Sequence, residues 1–112
     1  GFAEFPTIAM NPEWPGTVNG FWMPNVVFDD GTGVTREKLQ AACAAANADA
    51  RVFFWPLSEL PPFTSEALTV NSHEIAARGI NLPSYHDLLT EDQDRVIAVI
   101  KRELDKAIGG DR

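Results

Sequence analysis

The clearest hydrophobic pattern in the chain lies near its C-terminal end, where apolar residues recur mostly at spacings of three and four. The stripe consists of Val96, Ile97, Ile100, Leu104 and Ile108. This spacing places the side chains on one face of an α-helix. Acidic residues occupy the first turn and basic residues lie toward the other end, as the helix dipole favours. The pattern therefore predicts an amphipathic helix over residues 90–108, ended by the Gly109-Gly110 pair.

Two further helices are predicted upstream. Thr35 is a good N-cap for a helix over residues 35–47, because the residues that follow it include many strong helix formers and no breaker. A shorter helix is expected over residues 72–78, capped by Ser72. Gly79 stands at its end, where a left-handed C-cap is predicted.

Runs of aromatic and β-branched residues between these helices predict strands. The three runs cover residues 21–28, 52–55 and 80–83. Strands and helices alternate, so we predict an α/β fold: a small two-layer domain with an approximately three-stranded sheet covered by helices, mainly on one face. Residues 1–20 combine aromatic side chains with prolines and show no period, which predicts an irregular lead-in to a domain over residues 21–112.

Composition excludes several functional classes. The chain has 112 residues, of which 45% are hydrophobic, and this predicts one packed domain. A net charge of −7 disfavours a nucleic-acid-binding surface. No apolar run approaches the roughly 18 residues of a membrane helix, and no signal peptide is recognisable at the N-terminus. The single cysteine, Cys43, excludes an internal disulfide and favours a reducing compartment, so we expect a cytoplasmic protein.

Arg51 is the most specific candidate for binding chemistry. Its guanidinium can hold a phosphate or a carboxylate through two hydrogen bonds, and three aromatic residues follow closely in the sequence. A proline-rich loop then begins at Pro56, and loops on a rigid element commonly carry binding groups. The alternative is a surface arginine paired with Asp49 or Glu59, and the sequence leaves both interpretations open.

The remaining titratable residues predict neither a metal site nor a self-contained active site. His73 and His86 have no second histidine or cysteine at metal-ligand spacing. Ser58 and His86 could be combined with an aspartate as a hydrolase triad, but the sequence contains no Gly-x-Ser-x-Gly nucleophile elbow. We therefore predict no catalytic residue in this chain.

Three stretches, read in order, resemble one known family. They are GFWMPNVV at residues 20–27, RVFFWPLS at residues 51–58, and ARGINLPSY at residues 77–85, which LTEDQ follows at residues 89–93. Together they are similar to the C-terminal domain of sugar aminotransferases of the DegT/DnrJ/EryC1/StrS family, and in particular to its perosamine-synthase branch. The resemblance covers most of the chain from Gly20 onward and implies the C-terminal domain of a fold-type I aminotransferase.

The resemblance implies a substrate-binding role for three residues. In that family the domain lies over the mouth of the active site, so Arg51, Trp55 and Ser58 would face a nucleotide-sugar substrate. Many relatives carry a histidine where Ser58 stands here, and this leaves the role of Ser58 open. The full enzyme, by resemblance, is a homodimer that depends on pyridoxal phosphate (PLP). It would transfer an amino group from glutamate to a 4-keto-6-deoxy sugar nucleotide through pyridoxamine phosphate.

The lysines argue that this chain does not catalyse that reaction alone. A PLP-dependent transaminase needs a lysine that forms a Schiff base with the cofactor. The chain has only Lys38, Lys101 and Lys106, each on a predicted helix among charged residues. We therefore expect that the large PLP-binding domain is absent here, that the chain alone binds no cofactor, and that it is inactive in isolation.

Two alternatives from other functional classes remain. The chain could be a non-catalytic protein-binding module that retains this fold, with the aromatic residues 1–20 as its docking surface. It could also be a small regulatory domain that binds a metabolite by itself, although no motif supports this. Affinity for a nucleotide sugar only in the presence of the large domain would distinguish the aminotransferase interpretation from both.

Overall fold

The computed structural model describes residues 1–63 and 69–109. Its strands and helices are β1 (Ile8–Met10), β2 (Asn25–Phe28), α1 (Arg36–Ala45), β3 (Arg51–Val52), α2 (Val70–Arg78), β4 (Gly79–Asn81) and α3 (Thr90–Gly109). Short 3-10 turns occur at Asp30–Thr32, Leu57–Glu59 and Pro61–Phe63. Helix α3 has almost the predicted bounds, whereas Gly110, predicted to end it, lies outside the described residues.

The strands form one antiparallel sheet in the order β1-β2-β4-β3. Helices α1 and α3 pack on each other, and α1 also contacts β3 and β4. The predicted small two-layer α/β domain is therefore confirmed. The sheet has four strands rather than about three, because the segment expected to be an irregular lead-in contributes β1, paired with β2 along its whole length.

All three predicted strands are shorter in the structure, and the one expected over residues 80–83 spans only Gly79–Asn81. Residues 21–28 were expected to be extended, but Phe21 has a φ of 46° and the strand begins only at Asn25. Pro24 precedes that start and has no amide hydrogen to give to a ladder. The strand expected over residues 52–55 consists only of Arg51–Val52.

Of the starts of α1 and α2, only that of α1 has a side-chain cap. The hydroxyl of Thr35 accepts a hydrogen bond from the backbone N–H of Lys38 at 3.3 Å, which confirms the predicted N-cap of α1. The predicted cap of α2 at Ser72 is wrong, because the helix already starts at Val70. Thr69 occupies the N-cap position, but its side chain makes no capping hydrogen bond.

The core lies between the sheet and the two packed helices. The predicted stripe of α3 supplies Val96, Ile100 and Leu104, and the same helix adds Val99, which the stripe omitted. Ile108, by contrast, is half exposed. The other buried apolar side chains are Phe2, Val26, Phe28, Leu39, Cys43, Ala48, Ala50, Ala76 and Ile80. One continuous core therefore fixes the sheet whose end forms the candidate site.

The predicted left-handed cap at Gly79 is wrong. Gly79 has a φ of −103° and is the first residue of β4, so its backbone is extended. The structure gives a different reason for glycine at this position. A Cβ there would lie 3.0 Å from Cγ of Phe53 and 3.0 Å from the backbone oxygen of Ile75.

Gly79→Ala is expected to destabilise the fold by about 1–3 kcal/mol, the usual cost of forcing extra volume into a packed site. Urea unfolding of the variant measures this loss. Gly20→Ala is the matched control, because a Cβ at Gly20 meets nothing within 4 Å. Equal stabilities of the two variants would contradict the close approach of Phe53.

Candidate functional site

A row of polar residues crosses one end of the otherwise apolar sheet. Asn25 of β2, Asn81 of β4 and Arg51 of β3 are direct cross-strand neighbours, so their side chains share one face of the sheet. The next row, Val26 and Ile80, points to the opposite face of the sheet and is fully buried. The polar row thus marks the place where the sheet ends and a binding surface can begin.

A groove of about 690 Å³ opens beside this row. Its walls are the turn that precedes β3, the loop between β4 and α3, and the first turns of α3. Phe54 and Tyr85 add aromatic surface, and Arg51, Asn81 and Arg95 add polar groups. Asp49 and Asp92 line it as well, so the groove combines cations, carboxylates, an amide and aromatic surface in one open cavity.

Both arginines of the groove are held by nearby aspartates. Nε and Nη2 of Arg51 donate to one carboxylate oxygen of Asp49, at 3.2 and 2.9 Å. Nη2 of Arg95 lies 2.9 Å from Oδ1 of Asp92. Exposed ion pairs of this kind contribute only about 0–1 kcal/mol. The pairing of Arg51 with Asp49 is therefore compatible with either role, since an anionic ligand could replace the aspartate at little cost.

Asn81 lines the groove and carries a buried acceptor atom without a partner among the described residues. Its side chain is buried, and Nδ2 lies 3.5 Å from the backbone oxygen of Val52. Among the described residues, Oδ1 has no hydrogen-bond partner. A buried polar atom without a partner costs about 1–3 kcal/mol. A donor from a ligand or from water that reached Oδ1 would offset this cost.

Trp55 lies outside the set of residues that line the groove. The guanidinium of Arg36 sits 4.4 Å from the centre of its ring, and Nη1 of the same arginine donates to the backbone oxygen of Ala76 at 2.8 Å. Trp55 is thus paired with a cation at the start of α1, while half of its surface remains exposed.

Ser58 is also separate from the groove and lies in the 3-10 turn against α2. Its Oγ is 3.0 Å from Nε2 of His73 and 3.0 Å from Oγ1 of Thr69. The other ring nitrogen of His73 lies 2.8 Å from Oε1 of Glu59. The imidazole beside Ser58 is therefore that of His73 and not that of His86, which the sequence analysis had considered.

The structure thus divides the three predicted substrate-binding residues between two places. Arg51 lines the groove, whereas Trp55 and Ser58 lie on the side of α1 and α2. Sequence reasoning missed the groove residues Asn81 and Arg95. The polar Asn81 interrupts an apolar run, and this could have indicated a binding residue. Arg95 follows the acidic first turn of a predicted helix, where a solvated arginine is expected.

Exposed aromatic side chains adjoin the groove. Trp22 stacks on Phe54, with ring centres 6.4 Å apart and an interplanar angle of 8°. Both rings are largely exposed, and exposed aromatic surface of this kind is typical of a contact with a ligand or with another protein surface. Trp14 and Phe21, outside the set of residues that line the groove, are largely exposed as well.

The three lysines of the chain lie on helices α1 and α3. Lys101 is paired with Glu4, Lys106 donates to Glu103 at 2.8 Å, and Lys38 is exposed on α1. No lysine lines the groove. Within residues 1–63 and 69–109, no three His, Cys, Asp or Glu side chains come together as a metal site. No helix in the same part of the chain is both long and apolar enough to span a membrane.

Two curated relatives are similar to this chain over most of its length. A GDP-perosamine synthase of Caulobacter vibrioides is 32% identical over 88 residues, which are 75% of this chain and 23% of the relative. A GDP-perosamine synthase of Vibrio cholerae is 27% identical over 95 residues, which are 82% of this chain and 26% of that protein. The chain therefore spans about a quarter of the length of these relatives.

A solved structure shares the fold. The aminotransferase TlmJ from Streptoalloteichus hindustanus superposes with a TM-score of 0.74 at 17% sequence identity, over 88% of this chain and 26% of that one. The sequence model of the DegT/DnrJ/EryC1/StrS aminotransferase family matches residues 1–101, which is most of the chain. The chain belongs to this family of aminotransferases and forms a sugar-aminotransferase-like domain.

Proposed function

We propose that the chain is the C-terminal small domain of a nucleotide-sugar aminotransferase. Its role is to close over the PLP site of a larger domain and to contact the sugar nucleotide, and it is inactive in isolation. The complete enzyme is a cytoplasmic homodimer that transfers an amino group from glutamate to a 4-keto-6-deoxy sugar nucleotide. Bound PLP carries the amino group in that reaction, and enzymes of this family depend on PLP in general.

The observation that supports this proposal is the groove around Arg51. Its two arginines are suited to the diphosphate of a sugar nucleotide, because guanidinium binds phosphate oxygens through paired hydrogen bonds. Phe54 and Tyr85 offer surface against which a base or a sugar ring can pack. The contribution of this domain is then binding energy and exclusion of water, while bond making belongs to the larger domain.

The second candidate function is a non-catalytic protein-binding module. The exposed aromatic rings of Trp14, Phe21 and Trp22 favour it, because isolated domains seldom leave so much aromatic surface in water. The intact mass of the protein from its native cell distinguishes the two functions. A mass well above 12.3 kDa, with a lysine-bearing domain ahead of Gly1, supports the aminotransferase. A mass near 12.3 kDa, together with capture of one defined protein partner, supports the binding module.

Arg51→Ala in the complete enzyme is expected to raise the KM for the sugar nucleotide about tenfold with little change in kcat. The variant loses one charged hydrogen bond to the substrate, which is made in the ground state and in the transition state alike. Such a contact is worth about 1.5–3 kcal/mol. Steady-state kinetics with glutamate in excess measures the effect.

Arg102→Ala is the matched control, because Arg102 is an exposed arginine of α3 outside the groove lining, with Nε 3.8 Å from the carboxylate of Glu103. Unchanged kinetics in both variants would show that Arg51 forms only a surface ion pair with Asp49. A fall in kcat without a change in KM would place its contact in the transition state instead.

A further inference from the structure

The groove contains as many acids as cations. Among the described residues, its charged lining side chains are those of Asp49, Arg51, Asp92 and Arg95. Each guanidinium lies 2.9 Å from the carboxylate of an aspartate two or three positions earlier in the sequence. An anion that enters the groove therefore meets two guanidinium groups that already have a carboxylate partner.

The groove arginines differ from two arginines that hold the fold together. Arg36 and Arg78 donate to backbone oxygens that are 40 and 50 positions away in the sequence, and their side chains are only 14% and 24% exposed. The side chains of Arg51 and Arg95 are 77% and 50% exposed, and their ion pairs stay within one short segment each. Breaking these two ion pairs therefore separates no distant parts of the chain.

The geometry of the ion pair between Arg51 and Asp49 leaves room for a better partner. Nε–H and Nη2–H of Arg51 both donate to one oxygen, Oδ2 of Asp49. The strongest pairs of arginine with an anion use two oxygens for two parallel hydrogen bonds. A terminal phosphate offers three acceptor oxygens and up to two negative charges, so it can accept from each N–H separately. Asp49 therefore occupies an edge of the guanidinium that a phosphate would bind more strongly.

We propose that Asp49 and Asp92 are internal competitors of a phosphorylated ligand and set the affinity of the groove for it. Each arginine binds a phosphate only while its aspartate has moved away, so the apparent dissociation constant is the intrinsic one divided by the free fraction. An exposed ion pair shifts such an equilibrium by up to about fivefold. The sugar nucleotide as ligand rests on the proposed function, whereas the competition applies to any phosphate or diphosphate.

The same competition works against ligands that carry only carboxylates. A free carboxylate would replace an aspartate by a group of the same charge and shape. It would also lose translational freedom, which the tethered aspartate does not have to lose. A phosphate gains charge and acceptor oxygens in the exchange. The groove therefore favours phosphorylated ligands over carboxylates.

Binding of inorganic pyrophosphate to the intact protein, in the form its native cell makes, tests the proposal without an aminotransferase assay. Isothermal titration calorimetry in magnesium-free buffer is expected to show about two- to fivefold tighter binding for Asp49→Asn than for the parent protein. Asparagine keeps the shape of the side chain and removes its charge, so the guanidinium is released. Asp92→Asn should give a gain of similar size, and the double variant about the product of the two gains.

Two controls assign the gain to the groove. Asp105→Asn removes the same charge from an exposed position of α3 that does not line the groove, and it should leave the affinity unchanged. In an Arg51→Ala background, Asp49→Asn should have no effect, because the competition has lost its object. Glutarate, a dicarboxylate, should give the same titration curve with the parent protein and with Arg51→Ala.

The sign of the change separates competition from positioning. An aspartate that orients its guanidinium for the ligand would make the asparagine variant bind pyrophosphate more weakly. Weaker or unchanged binding in Asp49→Asn would therefore overturn the proposal, as would a protein that binds no pyrophosphate in any form. An equal gain in Asp105→Asn, or a gain that persists in Arg51→Ala, would also overturn it. A gain in only one of the two groove variants would overturn the role of the other aspartate.

Kinetics of the complete enzyme connect the competition to the proposed function. Asp49→Asn is expected to lower the KM for the sugar nucleotide about two- to fivefold with kcat nearly unchanged. Tighter pyrophosphate binding with an unchanged KM would overturn the sugar nucleotide as the ligand of the groove. A protein without aminotransferase activity would overturn the proposed function, while tighter pyrophosphate binding in Asp49→Asn would still support the competition.

Discussion

Phe28→Ala is expected to lower the free energy of unfolding by about 3–5 kcal/mol, the usual cost of removing a buried phenyl ring. Phe28 is only 1% exposed and ends β2, where it is paired with Ile8 of the edge strand β1. The alanine variant loses the transfer free energy of the ring and leaves a cavity between sheet and helices. Urea unfolding should show a lower midpoint with an unchanged slope, since the surface exposed on unfolding stays nearly the same.

Phe63→Ala is the matched control for this loss. Phe63 carries the same side chain but is 56% exposed in a 3-10 turn, so its removal should cost less than about 0.5 kcal/mol. Comparable losses in the two variants would contradict the placement of Phe28 in the core. Because small domains are stable by only about 5–15 kcal/mol, the Phe28 variant should lose a large share of the total.

The sequence predicted those elements whose signals are local. The stripe of α3 and the Thr35 cap of α1 depend on neighbours within one or two helical turns, and both are confirmed. Strand β1 has three residues, too few for a period to be recognised, and it exists only because β2 is there to pair with it. Non-local pairing of this kind leaves no pattern in a single segment.

Gly79 shows how a local rule can fail. A glycine after a predicted helix indicates a left-handed cap, yet Phe53, which lies 26 positions earlier, occupies the space where a Cβ would stand. The requirement for glycine was therefore real, but its cause was packing between distant segments. A single sequence cannot separate these two causes.

The candidate site was predicted in part. Arg51 was selected for its chemistry. In the structure it lies on β3, an edge strand of the sheet, and lines a groove together with Arg95 and Asn81. Those partners are separated in sequence by an intervening helix and loop, so only the folded sheet brings them together. The pairing of Ser58 with His73 likewise depends on how the proline-rich loop returns to α2.

The single thiol, that of Cys43 in α1, provides a second test of the same core. Cys43 is fully buried, and burial together with the nearby Glu103 carboxylate raises the pKa of its thiol above the usual range. Only the thiolate attacks a disulfide reagent, and in the folded protein Cys43 is both buried and held as the thiol, so the protein must open before Cys43 reacts. We expect labelling at pH 8 to be slower than in the urea-unfolded chain by a factor on the order of 10³ or more.

The raised pKa of Cys43 also predicts how stability changes with pH. Above the ordinary thiol pKa of about 8.5, the unfolded chain releases the thiol proton while the folded chain keeps it. The unfolded state then binds fewer protons, so this group lowers the free energy of unfolding by up to about 1.4 kcal/mol per pH unit until the folded thiol also ionises. Urea unfolding between pH 7 and 10 should show this fall, and Cys43→Ala should decline less steeply because it lacks the thiol. Parallel pH profiles of the two proteins would contradict this prediction, and so would fast labelling of the folded chain. Either result would show that Cys43 is accessible to solvent and that α1 does not cover it.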